Sequence, residues 1–254
     1  MDDIAVVICT RNRPPETTHT LNSILAGRSV PDLIIIVDQA DPDTPDPLVE
    51  FEGRPGILRI HDPGTGLSRA RNIGTTAAEA AGVSFVAYTD DDCTVDPGWL
   101  AGLAAAFAID KRVALVFGST EACVHDAEQG MIPAYSVLKS AVHQGLSAKA
   151  CVEGMGACMA VRVEAWRQVG GFDEHLGAGT PLAAADDNDL SIRMLWAGLM
   201  IAETPAAVVI HAGFRDRHAA TRLIAGYMRG SGAAIAKMLR LGQWEAIPPH
   251  CSHW

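Results

Sequence analysis

The segment Ser84-Phe-Val-Ala-Tyr-Thr-Asp-Asp-Asp92 joins an apolar run to three consecutive carboxylates. Residues 84–89 are rich in aromatic and β-branched side chains, and this composition predicts a buried strand. The strand would end directly on Asp90. Two like charges about 4 Å apart repel one another by about 4 kcal/mol at an effective dielectric constant of ~20. The acidic triplet therefore needs a partner that offsets its charge.

Similar strands recur through the first half of the chain, and helical patterns alternate with them. Continuous apolar strands alternating with helices predict an α/β fold with a mainly parallel sheet covered on both faces. The predicted strands are residues 4–9, 33–37, 57–60, 84–89 and 113–118, and the predicted helices are residues 16–26, 68–81 and 99–109.

Three polar side chains fall just after predicted strand ends. Arg11 follows the first strand, Asp38 the second and Asp90 the fourth. Ligands in open α/β sheets bind beyond the carboxyl ends of the strands. We therefore expect the functional site at this edge of the sheet.

The pattern loosens in the second half of the chain. Residues 187–197 and 218–241 have helical spacing, and residues 208–210 form a short predicted strand. Residues 121–149 give no clear assignment. We expect one domain over residues 1–242, and a disordered tail over residues 243–254.

Composition excludes several classes of protein. The 254 residues carry a net charge of −10, which disfavours nucleic acid as a partner because phosphate contacts need a basic surface. The longest stretch without charged residues, 97–109, is too short to span a bilayer. The acidic start lacks the features of a secretory signal, and no C-x-x-C pair occurs among the six cysteines. We therefore expect a cytoplasmic protein with reduced thiols.

A divalent cation would explain the acidic triplet, because carboxylate oxygens suit Mg²⁺ or Mn²⁺. A solvated acidic turn is the alternative. Asp90-x-Asp92-x-Thr94 also matches two enzyme motifs: the nucleophile motif of haloacid-dehalogenase-type phosphatases, with Asp90 as nucleophile, and the metal motif of nucleotide-sugar glycosyltransferases. The phosphatase nucleophile normally follows the first strand of its domain. Three predicted strands precede Asp90 here, which favours the second motif.

Seven short motifs occur in order between residue 4 and about residue 240. They are Ile4-Ala-Val-Val-Ile-Cys-Thr-Arg-Asn-Arg-Pro14, Ile34-Ile-Ile-Val-Asp38-Gln39, Gly66-Leu-Ser-Arg-Ala-Arg-Asn72-Ile-Gly74, Thr89-Asp-Asp-Asp-Cys-x-x-x-Pro-x-Trp-Leu100, Gly170-Gly-Phe-Asp-Glu174, Leu176-Gly-Ala-Gly-Thr-Pro181 and Asp186-Asp-Asn-Asp-Leu190 with Arg193. Together they resemble glycosyltransferase family 2, the inverting nucleotide-sugar enzymes of GT-A fold. The resemblance implies a Rossmann-like, mixed but mainly parallel sheet, with a nucleotide-binding half over residues 1–118 and an acceptor half over residues 119–242.

The resemblance also implies donor-binding roles for residues near the strand ends. Asp38 corresponds to the carboxylate that accepts a hydrogen bond from the nucleobase. A strand-end turn residue is the alternative for Asp38, and a solvated helix face is the alternative for the arginines of the third motif. The implied donor-binding residues are Thr10, Arg11, Asp38, Arg69, Arg71, Asp90 and Asp91.

In this resemblance Asp90 and Asp92 hold the metal on the donor diphosphate. His211 follows the predicted strand 208–210, and neutral imidazole is a plausible ligand. His211 would either complete the metal shell or be structural. The implied cofactor is Mn²⁺ or Mg²⁺.

Asp187 aligns with the family's general base at the start of a helix. The family has Glu where this chain has Asp186, so acceptor geometry can differ here. The alternative is a helix cap with an acidic first turn. The acceptor side would also include Gly179 and Thr180. An ordinary aspartate pKa near 3.9 would leave Asp187 ionised at pH 7.

These residues imply metal-dependent, inverting transfer of a sugar from a nucleotide diphosphate-sugar to a hydroxyl on a glycan, a lipid-linked molecule or a small molecule. A non-catalytic nucleotide-sugar binding module is the third alternative, beside the phosphatase. The helix at 218–241 carries a basic stripe of Arg222, Arg229, Lys237 and Arg240. It would either pack on the domain or contact the inner membrane face peripherally.

Overall fold

The predicted strands and helices of the first half are present in the computed structural model, which describes residues 3–44 and 47–244. The strands of the described residues are β1 (Ile4–Thr10), β2 (Leu33–Asp38), β3 (Ile57–His61), β4 (Phe85–Asp90), β5 (Cys93–Val95), β6 (Val113–Ala122), β7 (Gly130–Met131), β8 (Ala141–Gln144), β9 (Met159–Arg162), β10 (Met200–His211) and β11 (Arg215–Asp216). The α-helices are α1 (Pro14–Leu25), α2 (Leu67–Ala80), α3 (Trp99–Phe107), α4 (Val163–Val169), α5 (Asp186–Trp196) and α6 (Arg217–Arg240).

The main sheet has the strand order β3-β2-β1-β4-β9-β6-β10, with β5 and β8 both pairing along the outer edge of β10. Strands β1 to β4 are parallel, and β10 is parallel to β6. Strand β9 is antiparallel and lies between β4 and β6. The predicted mixed, mainly parallel sheet is therefore confirmed. The carboxyl ends of β1, β2, β4 and β10 lie at one edge.

Both faces of the sheet are buried, which explains why the strands read as continuous apolar runs. Alternate residues of β1 point to opposite sides: Val7 packs toward α2 and α5, whereas Val6 and Ile8 pack toward α1 and α3. Trp99, at the start of α3, is the largest of the fully buried side chains. Burial on both sides fixes the register and hence the positions of the residues just beyond the strand ends.

The second half differs from the sequence prediction. Strand β10 begins eight residues earlier than predicted, because the polar run Glu203-Thr-Pro205 interrupts the apolar pattern while the backbone stays extended. Glu203 is buried there, and its carboxylate accepts a hydrogen bond from Tyr135 at 2.9 Å and contacts His143 at 2.8 Å. Strands β9 and β10 join the sheet of the first half, so the two predicted halves share one sheet. Most of the predicted tail, residues 245–254, lies outside the described residues.

Helix α6 is 24 residues long. Across the two described ranges, no helix combines the length and the apolar character that a membrane crossing needs. The five cysteines of those ranges are free thiols.

Candidate active site

A cleft of about 680 Å³ opens at the carboxyl ends of the strands. Its floor consists of strand-end residues, and its other side consists of the segment before α5 and one face of α6. Most residues that the sequence predicted for the site line this cleft. They are Thr10, Arg11, Arg71, Asp90, Asp91, Asp92, Gly179, Asp186, Asp187 and His211.

Asp90, Asp92 and His211 form a compact cluster on the floor. One ligand atom from each lies within 4.8 Å of the others. The His211 Nδ1 atom is 3.0 Å from the Pro133 carbonyl, which only accepts, so Nδ1 carries a hydrogen. The Nε2 atom faces Asp92 Oδ1 at 3.2 Å. Two carboxylates and one imidazole nitrogen are a donor set that suits Mn²⁺.

Gly213 leaves room beside this cluster. A Cβ atom built at Gly213 would lie 2.5 Å from His211 Nε2 and 2.9 Å from Asp92 Oδ2. A side chain there would therefore press on two of the three ligand atoms. The absence of a side chain at Gly213 and the donor set both fit a divalent cation at Asp90, Asp92 and His211. Burial lowers the pKa of His211, but its bonds to Asp92 and Pro133 outweigh burial and raise it, so a metal would compete with a proton on Nε2.

Arg13, which sequence reasoning did not select, binds the acidic triplet. Its Nη1 atom is 3.2 Å from Asp91 Oδ1 and 2.9 Å from Asp92 Oδ2. Thr10 Oγ1 donates to Asp91 Oδ2 at 2.8 Å. Burial raises the pKa of Asp91 to about 6, although Arg13 and Thr10 act in the opposite direction. Asp91 is thus held by the protein itself, and its expected contact with the nucleotide stays a prediction. Its place in the short polar loop after β1, three residues beyond the strand end, was the available signal for Arg13.

Arg71 connects the metal cluster to the start of α5. It is almost completely buried, which excludes the solvated helix face. Its Nη1 atom is 2.5 Å from Asp186 Oδ2, and its Nη2 atom is 3.2 Å from Asp90 Oδ1. Nη2 also donates to the Gly156 carbonyl at 3.1 Å. The shorter Asp186, in place of the family's Glu, therefore has a definite partner in Arg71.

Arg69 has a different environment. Its Nε atom is 3.0 Å from Asp62 Oδ2, and it lines neither the cleft nor the second cavity described below. The expected contact of Arg69 with the donor stays a prediction.

Asp187 faces the cleft from the first turn of α5. The backbone N–H of Gly156 donates to Asp187 Oδ2 at 2.8 Å, and that of Asn188 donates to Oδ1 at 2.7 Å. Burial, followed by the charge of Asp186, raises the pKa of Asp187 to about 6, while Arg71 lowers it. This differs from the ordinary value assumed from the sequence. At pH 7 the carboxylate is still mostly ionised.

The segment before Asp187 has an unusual backbone. Ala183 and Ala185 have φ angles of 63° and 70°, in the left-handed region that non-glycine residues rarely adopt. Gly230 of α6 packs directly on this segment, since a Cβ there would lie 2.5 Å from the Ala184 carbonyl oxygen. The close approach of α6 therefore stabilises the conformation that presents Asp187.

Polar contacts also anchor α6. Lys237 Nζ is 2.8 Å from Asp173 and 2.9 Å from Asp189, and Asp189 is buried in α5. Lys237 of the basic stripe therefore faces the domain, where its charge offsets two carboxylates, which agrees at this residue with the alternative that α6 packs on the domain. Arg222 and Arg229 are exposed.

Asp38 lies outside the cleft, in a neighbouring cavity of about 620 Å³ that shares Thr10 and Arg13 with it. Its side chain is buried. Oδ2 accepts from Arg59 Nη2 at 2.6 Å, and Oδ1 accepts from the Ala40 N–H at 2.8 Å. Sequence reasoning missed Arg59, although a lone arginine inside an apolar strand was a signal.

The acceptor-side residues Gly179 and Thr180 separate in the structure. Gly179 lines the cleft with a φ of 85°. Thr180 lines neither cavity. Its Oγ1 donates to the Gly177 carbonyl at 2.9 Å and accepts from the Ala183 N–H at 3.2 Å, so it holds the segment before α5 in shape.

Known structures share this architecture. A mannosyltransferase from Pyrobaculum calidifontis, solved with GDP-Man and Mn²⁺, superposes with a TM-score of 0.67 at 19% identity, covering 94% of this chain and 64% of that chain. Residues 1–349 of TarS from S. aureus superpose with the same score at 15% identity, covering 94% and 66% of the two chains. These similarities confirm the expected GT-A fold.

Sequence comparison gives the family. The family model described as "Glycosyl transferase family 2" matches residues 5–170. A pre-mycofactocin glycosyltransferase from Mycobacterium tuberculosis is 30% identical over 217 residues, covering 82% of this chain. This chain spans only 42% of the length of that relative. The matches decide against the phosphatase alternative, and the chain belongs to glycosyl transferase family 2.

Proposed function

We propose that this protein transfers a sugar from a nucleoside diphosphate-sugar to a hydroxyl acceptor, with inversion and with a divalent metal. One observation carries the proposal: the Asp90–Asp92–His211 cluster and Asp187 line the same cleft. Arg71 bonds to both sides, through Asp90 and Asp186. A charge-neutralising site and a separate carboxylate are the two parts that a direct displacement requires.

Asp90, Asp92 and His211 would hold the metal. When bound there, Mn²⁺ or Mg²⁺ would stabilise the charge that builds on the departing nucleoside diphosphate. A structural neighbour solved with GDP-Man and Mn²⁺ supports this assignment. We place the nucleobase and ribose toward the neighbouring cavity, where Asp38 and Arg59 lie, with Thr10 and Arg11 between the two sites.

Asp187 would accept the proton of the acceptor hydroxyl as that oxygen attacks the anomeric carbon. The N–H groups of Gly156 and Asn188 fix the orientation of its carboxylate. A pKa of about 6 makes Asp187 a better base than an ordinary aspartate and still leaves it ionised at pH 7. A single displacement of this kind inverts the anomeric configuration.

Partners and location follow as further parts of the proposal. The donor would be a nucleoside diphosphate-sugar, and the acceptor would carry a hydroxyl. The exposed Arg222 and Arg229 of α6 support peripheral contact with an anionic membrane face, and a cytoplasmic location stays a prediction. Sedimentation with anionic and neutral vesicles tests the membrane contact.

Asp187→Asn tests the assignment of the base. We expect turnover, measured as nucleoside diphosphate release, to fall by about 10²–10⁴-fold. Donor binding in the presence of Mn²⁺, measured by calorimetry, should remain. Asp32→Asn is the matched control, because Asp32 is exposed and precedes β2 at the opposite edge of the sheet.

The outcomes separate the alternatives. If Asp187→Asn keeps full turnover, Asp187 is not the base. If the wild-type protein binds nucleotide-sugars but releases no product with any acceptor, the non-catalytic binding module is favoured. A thermal-shift screen of nucleoside diphosphates with and without Mn²⁺ identifies the donor class, since a ligand at ~100 times its Kd adds about 2.7 kcal/mol of stability. NMR of the product's anomeric proton tests inversion.

A further inference from the structure

The cleft has two chemically different walls. The strand ends and the start of α5 supply the charged side chains described above. Other lining residues form an apolar wall: Leu223 and Tyr227 of α6, Met131 of β7, Met155, and the alanines that precede α5. An oligosaccharide acceptor would need hydrogen-bonding partners along its length, whereas this wall provides mainly apolar contact surface.

Arg215 is the charged lining residue closest in sequence to this wall. It belongs to β11, directly before α6, and its Nη1 donates to the Phe214 carbonyl at 3.0 Å. Within the described part of the chain, the lining residues of α6 itself carry no charge: they are Leu223, Tyr227 and Ser231.

Tyr227 connects the apolar wall to the candidate base. Tyr227 and Asp187 line the same cleft, and Gly226, directly before Tyr227, packs on the segment that precedes α5, since a Cβ there would lie 3.3 Å from the Ala183 Cβ. Burial, followed by the charges of Asp187 and Asp90, raises the pKa of the Tyr227 phenol. Its side chain is still 39% exposed. A molecule lying along Tyr227 and Leu223 would therefore reach Asp187 at one end.

The apolar surface also continues out of the cleft. Ile224 and Met228 follow Leu223 and Tyr227 in the sequence and lie on the outer side of α6, 51% and 65% exposed. Residues spaced by three or four on a helix are neighbours, and Ile224 and Tyr227, three apart, join the pairs Leu223–Tyr227 and Ile224–Met228 into one patch that extends from the cleft lining to the outer surface. A patch that is continuous from the inside to the outside suits an acceptor with a long apolar body.

We propose that the acceptor is an amphiphilic alcohol, whose apolar body lies on the patch Leu223–Ile224–Tyr227–Met228 and whose hydroxyl faces Asp187. This inference deepens the proposed function and rests on it. The alcohol could be a lipid in a membrane or a free small molecule, since the chemistry recognised is the same.

Methyl and n-hexyl β-D-glucoside test the inference by binding, because they share one polar head and differ only in the apolar tail. Their affinities are measured by NMR titration of the protein saturated with Mn²⁺ and the nucleoside diphosphate selected by the screen. One buried methylene is worth about 0.8 kcal/mol, or roughly fourfold. Burial of two methylenes should make the hexyl compound bind about 15-fold more tightly. Leu223→Gln should remove most of this difference, and Leu138→Gln, at a 90% exposed position outside the cleft, should keep it.

Equal affinities for the two glucosides, or an unchanged ratio in Leu223→Gln, would overturn the inference. Met228→Gln, on the exposed part of the patch, provides a second variant if Leu223→Gln does not fold. Nucleotide affinity distinguishes failure of this inference from failure of the proposed function. A protein that binds no nucleoside diphosphate refutes the proposed function itself. Co-sedimentation with phosphatidylcholine vesicles that carry a glucosyl diacylglycerol, compared with plain vesicles, distinguishes a lipid-borne acceptor from a free one.

Discussion

Arg71 should control the pH dependence of catalysis through Asp187. The arginine is buried between Asp90 and Asp186, and its charge lowers the pKa of Asp187 against the effects of burial and of Asp186. Arg71→Met removes that charge and replaces the arginine with an apolar side chain of similar length. Arg71→Lys is the matched control, because it keeps the positive charge and loses the two-sided contact of the guanidinium.

The magnitude follows from the pKa of Asp187, which is about 6 in the folded protein. The base must be ionised, so the rate should rise with pH through this value. A nearby opposite charge lowers a carboxyl pKa by about 1–3 units, so its loss should raise that of Asp187 by at least about one unit. For a rise of one unit, the ionised fraction at pH 6 would fall from about one half to about one eleventh, whereas at pH 8 it would stay at about nine tenths. Arg71→Met should therefore lose about fivefold more activity at pH 6 than at pH 8.

The assay is kcat between pH 5 and 9 at saturating donor, acceptor and metal. Arg71→Met also leaves Asp186 buried without a cation, which costs about 3–5 kcal/mol of folding stability. Urea unfolding measures that loss, and the double variant Arg71→Met with Asp186→Asn should recover part of it. If the kcat–pH profile of a folded Arg71→Met protein still rises through pH 6, the charge of Arg71 does not control the pKa of Asp187, and the reasoning is refuted. Arg71→Lys should keep the rise of the profile near its wild-type position.

Three further outcomes follow from the packing. Gly213→Ala should weaken Mn²⁺ binding by about 10–100-fold with little change in stability, because the new Cβ presses on His211. Titration of Mn²⁺ followed by electron paramagnetic resonance measures this affinity. An unchanged affinity would argue against a metal at Asp90, Asp92 and His211. Gly230→Ala should destabilise the protein by about 1–3 kcal/mol, because α6 can no longer approach the segment before α5. Gly232→Ala, in the same helix and facing open space, should instead stabilise it by up to about 1 kcal/mol, and equal thermal shifts for both variants would contradict the close-packing argument. Lys237→Met should cost about 1.5–3 kcal/mol, as measured by urea unfolding, because buried Asp189 loses one of its two cations and keeps Arg193 at 2.7 Å; a loss below about 1 kcal/mol would make the Lys237 ion pair unimportant.

Local patterns could predict the first half because its strands are short, apolar and buried on both faces. Each of β1, β2 and β4 reads as a continuous hydrophobic run that stops at a polar residue. Only the end of strand β10 was predicted, at residues 208–210, because Glu203, Thr204 and Pro205 interrupt the apolar pattern before it. Glu203 is tolerated there since Tyr135 and His143 satisfy its carboxylate, and neither partner is near it in sequence.

The sequence likewise predicted the positions of some polar residues but not their partners. The sequence placed Asp90, Asp92 and Asp187 beside strand or helix ends, and these residues do line one cleft. It could not show that Arg71 pairs with Asp186, 115 residues away, or that Asp38 pairs with Arg59 in a separate cavity. Such partners are chosen by which strands and helices become neighbours.

By itself, the amino-acid sequence determined the family, the mainly parallel sheet and the edge of that sheet where the chemistry-bearing residues gather, because hydrophobic periodicity and short motifs are local properties. Only the tertiary structure decided the raised pKa of Asp187, the inward orientation of Lys237 and the apolar wall that α6 adds to the cleft. A pKa and the chemical character of a wall depend on which distant groups fold against each other. These groups are far apart in the sequence, and they come into contact only when the chain folds.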